Sequence, residues 1–438
     1  MFSKIRIKNF KSIEDLLVDF SYAEGKAPNN YKDSNIISFL EPNSKADNRV
    51  VSVMNMYGAN ASGKSNIIEV LSHITNIIRN GLKPDYPFCP NKLKKLENET
   101  LIQMNFFINK HSYEYSIAYN NKTITMESLY LEGKKLFSID KTESNFEGIK
   151  TRAYGNKVIR ERFQTSCLTL YDEEVNQINT FLSSVVSDLP SLNKNLTLVF
   201  NFLTKKIAVL RDSAVHASHG VNLLSKSQQD KDIKIAFDKI TEIIKELDID
   251  INKFEYENDE EELIMSEKGE VQVKIPANSY SSYKIDKAKN RLITNRIKSY
   301  HTNSEGKEVP FDIAEESVGT RVAFGLVGFI LKTLEDGGVL IIDELDRSLH
   351  TLILKRLVRM FKDKDLNRNN AQLISTLHNT DILEDSIYKI SEFAFINKNQ
   401  KRGTFIKRLS DYEGVRNDMN FRDRYLDGLY LGIPYPYN

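Results

Sequence analysis

Apolar residues change their spacing several times along this 438-residue chain. Ile5 and Ile7, then Leu17, Val18 and Phe20, flank Asn9-Phe10-Lys11-Ser12, a pattern that predicts a strand, a turn and a second strand. Residues 21–48 are rich in Asn, Asp, Lys, Pro and Ser and predict an exposed loop. A short β-rich run from Val50 to Tyr57 stops at Gly58. Beyond it, Ile67, Ile68, Leu71, Ile74, Ile77 and Ile78 recur at helical spacing. They predict a helix from Lys64 to about Asn80, with Gly81 as its stop. Residues 100–140 alternate aromatic and polar positions, as an antiparallel meander does. From 170 to 248 the pattern is mostly helical, and from 252 to 312 it returns to strand-like alternation. The acidic run Glu255, Glu257, Asp259, Glu260, Glu261 and Glu262 predicts a solvated turn there. The last third alternates helices and strands, and no internal repeat is present.

Composition narrows the classes. With 61 Lys and Arg against 60 Asp and Glu, the net charge is +1, which excludes a uniformly basic nucleic-acid binder and leaves room for a local basic stripe. A 40% hydrophobic content with 23 Phe and 20 Tyr supports a large core and excludes global disorder. Two cysteines, Cys89 and Cys167, exclude a disulfide framework or a cysteine-rich zinc site and fit a reducing compartment. The N-terminal residues alternate charged and apolar side chains, and the longest apolar stretch, Val322 to Leu331, is about half a membrane span. The expectation is a soluble, cytoplasmic protein with no membrane partner.

Three segments carry chemistry. Gly58-Ala59-Asn60-Ala61-Ser62-Gly63-Lys64-Ser65 matches G-x-x-x-x-G-K-[ST], with a predicted strand before it and a helix after it. The glycines let consecutive N–H groups face phosphate oxygens, Lys64 reaches the β- and γ-phosphates, and the Ser65 hydroxyl suits Mg²⁺. Gly338 to Ile342 predicts a buried parallel strand delivering Asp343 and Glu344 at its C-terminal end, where ligands of such sheets bind. Asp343 is placed for Mg²⁺, and Glu344 to orient an attacking water as general base. Ser317 and Gly319, at the mouth of an apolar helix-like run, suit a second phosphate-facing helix start.

The order of these elements resembles the ABC-type ATPases of the SMC/RecF/OLD branch, in particular stand-alone ATPases of prokaryotic anti-phage loci such as the PARIS and Septu types. Ile5 to Ser12 is similar to that branch's first strand and Asn-Phe-Lys/Arg-Ser turn, with Asn60 as its usual third loop residue. Glu316 to Thr320 resembles the ABC signature, Asp343 to His350 the Walker B and D-loop, and Gln372 to His378 the strand ending in the switch histidine. The tail Tyr425-Leu-Asp-Gly428 and Gly432-Ile433-Pro434 resembles the endings of these defence ATPases. The resemblance implies an α/β ABC-ATPase head: a P-loop NTPase with a mixed, largely parallel core sheet, an antiparallel β-lobe and a helical insertion. It divides the chain into an N-terminal lobe (1–165), a mostly helical insertion (166–250) and a C-terminal lobe (251–438). It implies a slow ATPase using ATP and Mg²⁺, with Lys11 and Ser12 near the nucleotide and His378 on the γ-phosphate. Ser317 and Gly319 would reach ATP held by another subunit, hence a homodimer or higher homo-oligomer with shared sites. The implied role is a sensor or scaffold that controls a separate toxic effector, a nuclease. A phage protein as trigger and DNA are partner classes left open.

The chain departs from the family in places. Val318 replaces the first signature glycine, Glu316 the usual leucine, and His350 the D-loop aspartate of many ABC proteins. Gln103 is the candidate for the Q-loop. Two rival functions remain. One is DNA maintenance of RecF or SMC type, for which Lys284, Lys287, Lys289, Arg291, Arg296 and Lys298 offer a basic stripe. The other is a self-contained ribonuclease toxin, because Arg211-Asp212-Ser213-Ala214-Val215-His216 matches the R-[DN]-x-x-x-H pattern of HEPN nucleases. The preceding residues 206–210 predict a strand, whereas that family's motif lies on a helix.

Overall fold

The computed structural model describes residues 1–22, 36–40, 47–83, 88–92, 99–140, 145–147, 177–188, 193–211, 230–247, 249–262, 282–286, 291–384, 388–399, 403–416 and 418–433. The chain forms two compact units, Met1–Arg211 with Thr333–Glu344 and Val358–Asn438, and Asp212–Lys332 with Leu345–Leu357.

The first unit opens with β1 (Phe2–Phe10) and β2 (Ile13–Asp19), joined by the predicted turn, in which Asn9 and Lys11 have positive φ. A small pair follows, β3 (Ile36–Leu40) with β4 (Asp47–Val51). Next come β5 (Val53–Gly58), buried throughout, and α1 (Lys64–Asn80), whose predicted isoleucines all face the core. A meander then runs β6 (Thr100–Ile108), β7 (His111–Tyr119), β8 (Ile124–Leu131), β9 (Lys134–Asp140) and β10 (Asn145–Glu147). Helices α2 (Phe181–Asp188) and α3 (Lys194–Lys205) lead into β11 (Ile207–Leu210).

The second unit contains α4 (Asp230–Glu246), β12 (Lys253–Glu262), β13 (Ser282–Asp286), β14 (Arg291–Thr302) and β15 (Glu308–Asp312). Helix α5 (Val318–Asp336) then returns the chain to the first unit and to β16 (Val339–Ile342). The remaining elements are α6 (Thr351–Lys362), β17 (Gln372–Thr376), β18 (Phe393–Asn399), β19 (Gly403–Arg408) and α7 (Phe421–Leu426).

The large sheet has two parts. Strands β18, β5, β17, β16 and β11 lie side by side, all parallel, and are nearly continuous apolar runs because both faces are covered. The meander with β1 and β2 is antiparallel, with alternating burial. One bridge, Gly403 to Ile13, connects β2 with β19 and so stitches the two parts together. Where β1, β6 and α3 meet, Phe106 stacks on Phe202 and Phe2 packs edge-on against both. Strand β11, in line with the strand predicted over 206–210, is an outer strand of the parallel part. Among the described residues, no helix is long and apolar enough to cross a membrane.

In the second unit the acidic run is not a turn. It runs along most of β12, and its register sets Glu255 opposite Lys298, Glu257 opposite Arg296 and Glu262 opposite Arg291 on β14. The acidic run and part of the basic stripe are therefore cross-strand complements, which overrides the poor strand propensity of each. Phe324 on α5 packs against Phe237 and Phe254 to form this unit's core.

Candidate functional site

The phosphate loop grows out of the buried end of β5. A Cβ on Gly58 would sit 2.5 Å from the Ile396 carbonyl oxygen, so only glycine lets the chain turn there. Gly63 has φ +105°, and a Cβ on it would meet Thr404 Oγ1 at 2.2 Å. Helix α1 starts directly after it, with no side-chain cap and no acidic residue in its first turn. Its first N–H groups and positive dipole end thus face the loop without a competing anion. Lys64 is 6% exposed, and its ammonium donates to the carbonyl oxygens of Gly58 (2.5 Å) and Ala59 (3.2 Å). Asn60 and Ser65 are exposed.

A hydrogen-bonded chain invisible in the motif braces the loop. Thr404 Oγ1 donates to the Ser62 carbonyl (2.9 Å) and bonds Ser12 Oγ (2.7 Å), which also accepts from Asn66 Nδ2 (2.7 Å). Ser12 is therefore tied to the loop through Thr404. Lys11 donates its ammonium to Glu69 on α1, with its backbone N–H on the Cys89 carbonyl (2.8 Å). Buried Glu69 also lies 3.7 Å from His73 Nε2 and 3.7 Å from Arg211 Nη2. Burial and the nearby Arg211 and Lys11 cations pull the His73 pKa below 6.5, against the opposite pull of Glu69.

Strand β17 separates β5 from β16, so the C-terminal ends of all three converge on one edge. Asp343 follows β16, is 9% exposed, and accepts from Thr376 Oγ1 at 2.6 Å. The same hydroxyl accepts the Glu344 N–H (2.7 Å). Glu344 has φ +50°, and its carboxylate, 44% exposed, lies 3.7 Å from His378 Nε2. A left-handed backbone on a non-glycine residue marks a place where the fold imposes an aim on a side chain. Thr376 was missed in the sequence. Its only signal is its position two residues before His378.

The signature segment belongs to the second unit. Ser317 Oγ accepts the Thr320 N–H (3.1 Å) and bonds the Thr320 hydroxyl (2.8 Å), capping α5. Both Ser317 and Val318 are exposed. A Cβ on Gly319 would lie 3.1 Å from the Ser348 carbonyl, so this glycine permits close approach to the segment before α6. Glu316, the unusual residue in the motif, accepts from Ser299 Oγ (2.5 Å) and lies 2.6 Å from His301 Nε2, fastening the segment to β14. Lys298 of the basic stripe lies 3.9 Å from Glu257 and 3.8 Å from Asp312.

Gln103 sits in mid-strand, opposite Arg6 and Ser116. Arg211 directly follows β11, in line with the strand predicted before it, while His216 and Pro434 lie outside the described residues.

A hydroxyl at Ser65 and a carboxylate at Asp343 are the oxygen donors a hard divalent cation takes, and the loop's N–H groups and Lys64 suit polyphosphate oxygens. These features define a P-loop nucleotide-binding protein. The chain belongs to the family described as "AAA domain, putative AbiEii toxin, Type IV TA system", whose family model matches residues 53–384. No curated protein matches the chain. Among solved structures it is similar to an SMC head bound to the C-winged helix domain of ScpA, at 11% identity and TM-score 0.44, covering 93% of this chain and 97% of that one. It is also similar to the SMC head domain from Thermotoga maritima, at 14% identity and TM-score 0.39, covering 93% and 98%.

Proposed function

We propose that this chain is an ATP-hydrolysing, ABC-type sensor and scaffold of an anti-phage system that holds a separate toxic effector, a nuclease, under control. The observation that carries the ATPase reading is the convergence of the phosphate loop, Asp343, Glu344 and His378 on one edge of the parallel strands. In this reading Lys64 exchanges the Gly58 and Ala59 carbonyls for β- and γ-phosphate oxygens. Gly58, Asn60 and Gly63 shape the loop, and Lys11 and Ser12 border the nucleotide. Ser65 and Asp343 hold Mg²⁺, with Thr376 fixing the aim of the carboxylate. A cation held there would neutralise charge on the phosphate oxygens. Glu344 orients the attacking water and takes its proton, while His378 touches the γ-phosphate and, at 3.7 Å, can report its loss to Glu344.

Ser317 is exposed and, with Gly319, would serve ATP held by a second copy, which makes a homodimer or higher homo-oligomer the working form. The family description names a toxin of a toxin–antitoxin system, which fits a chain acting together with a partner gene product. The DNA-maintenance reading is weaker, because Lys298 of the basic stripe is already paired with acids of its own sheet.

The test is plaquing of phage on cells that carry the native locus with Lys64→Ala in the chromosomal copy. Protection should fall at least tenfold when ATP binding is lost. Full protection with ATP binding abolished would overturn the reading.

A further inference from the structure

The tail motif Tyr425 to Ile433 has no part in the nucleotide chemistry above, yet it lies against the phosphate loop. The Tyr425 ring stacks on Phe395 of β18 (centroids 5.2 Å apart, planes 18°) and lies 5.8 Å from Tyr57, the residue before Gly58. Phe395 also stacks on Tyr430 (5.3 Å, 16°), which meets Tyr412 edge-on at 5.1 Å. Two hydrogen bonds fix the returning chain. Tyr425 donates its hydroxyl to the Gly432 carbonyl (3.0 Å), and the Leu431 N–H donates to the Tyr412 hydroxyl (3.0 Å). Burial pushes the Tyr425 phenol up to about 12, so it stays a donor at physiological pH.

Gly432 is the contact point. It is buried with φ +94°, and a Cβ on it would lie 3.1 Å from Gly58 Cα, 3.3 Å from the Ile396 oxygen and 3.5 Å from the Tyr57 oxygen. Gly58 is already pressed by the Ile396 carbonyl. The first glycine of the phosphate loop therefore sits between the backbone of β18 and the tail.

We propose that Tyr425 and Gly432 are positioning residues for the phosphate loop. By fixing where Gly58 sits, they set the aim of the loop N–H groups and of the carbonyl that parks Lys64. Sub-ångström placement matters here, since phosphate recognition relies on donors held in advance in their bound geometry. This inference rests on the ATP-binding reading.

The experiment is calorimetric titration with Mg·ATP, paired with nucleotide-free melting curves, on wild type, Gly432→Ala, Tyr425→Phe and Tyr425→Leu. Gly432→Ala should weaken ATP binding at least tenfold. Tyr425→Phe, which keeps the ring and loses the hydrogen bond, should weaken it several-fold, and Tyr425→Leu more. Nucleotide-free melting temperatures should stay within about 4 °C of wild type. Should Gly432→Ala not fold, the graded loss across the two Tyr425 variants decides. Wild-type affinity in the folded variants, with or without a lowered melting temperature, would make the tail merely structural and overturn the proposal. A wild-type protein that itself binds no ATP would overturn the ATP reading, and this inference with it.

Discussion

Lys64 is 6% exposed and bonded to two carbonyls of its own loop, whereas the Ser317 hydroxyl is exposed and tied only within its own turn to Thr320. The phosphate loop is held by Thr404 of β19, itself bonded to Ser12 in the β1–β2 turn and through it to Asn66 of α1, while the signature is fastened one residue upstream, through Glu316 to Ser299 and His301. A region braced on all sides is built to bind ligand alone, since its donors need no reorganisation. An exposed, locally capped strip is, in the proposed function, completed by a second copy. Changes in the first region should therefore abolish binding, and changes in the second should spare binding and spoil hydrolysis and assembly.

The largest effect is expected at Lys64. Lys64→Ala removes a charge-assisted contact and should weaken ATP binding about 100-fold, read by calorimetry, with hydrolysis lost. Ser317→Arg sharpens the contrast. ATP affinity should match wild type while steady-state hydrolysis falls roughly tenfold or more, because a bulky cation replaces the hydroxyl proposed to face the phosphate of a second copy. An equal loss of binding in that variant would erase the distinction between the two regions.

Thr404→Val tests the bracing itself. It leaves the buried Ser62 carbonyl without its donor, costing about 1–3 kcal/mol in urea unfolding and several-fold in ATP affinity. The smallest effect concerns pH. The folded-state pKa of His73 lies below 6.5, so the unfolded chain takes up a proton that the folded chain refuses. Stability should therefore decline as pH drops below 6.5, and His73→Asn should flatten that decline when unfolding midpoints are compared at about pH 5.5 and about pH 7.5.

The site was legible where chemistry is local in sequence. The loop from Gly58 to Ser65 and the pair Asp343 and Glu344 stand out because a curled backbone and a strand end need fixed residue types at fixed spacing. Thr404 was not legible. It reaches Ser62 across 342 positions through the pairing of β19 with β18, and no periodicity encodes that. Thr376, Asn66 and Glu69 were hidden for the same reason. The fold's parallel strands and meander followed from apolar patterning, while the acidic run of β12 misled because its partners lie on β14, where Lys298, Arg296 and Arg291 stand opposite Glu255, Glu257 and Glu262. Strand β11 was legible inside a mostly helical stretch, because Ile207 to Leu210 is short and apolar.

The central claim is that the braced loop binds ATP and that the exposed signature of a second copy completes the site. Light scattering of Glu344→Gln, with and without Mg·ATP, tests it most directly. Losing the base should slow hydrolysis roughly 100-fold or more while Ser65 and Asp343 still hold the cation, so ATP persists. The account predicts a mass near that of one 50.4 kDa chain without nucleotide, at least twice that with ATP, and no increase when Ser317→Arg is added. The same mass in all samples, with ATP bound, would contradict it.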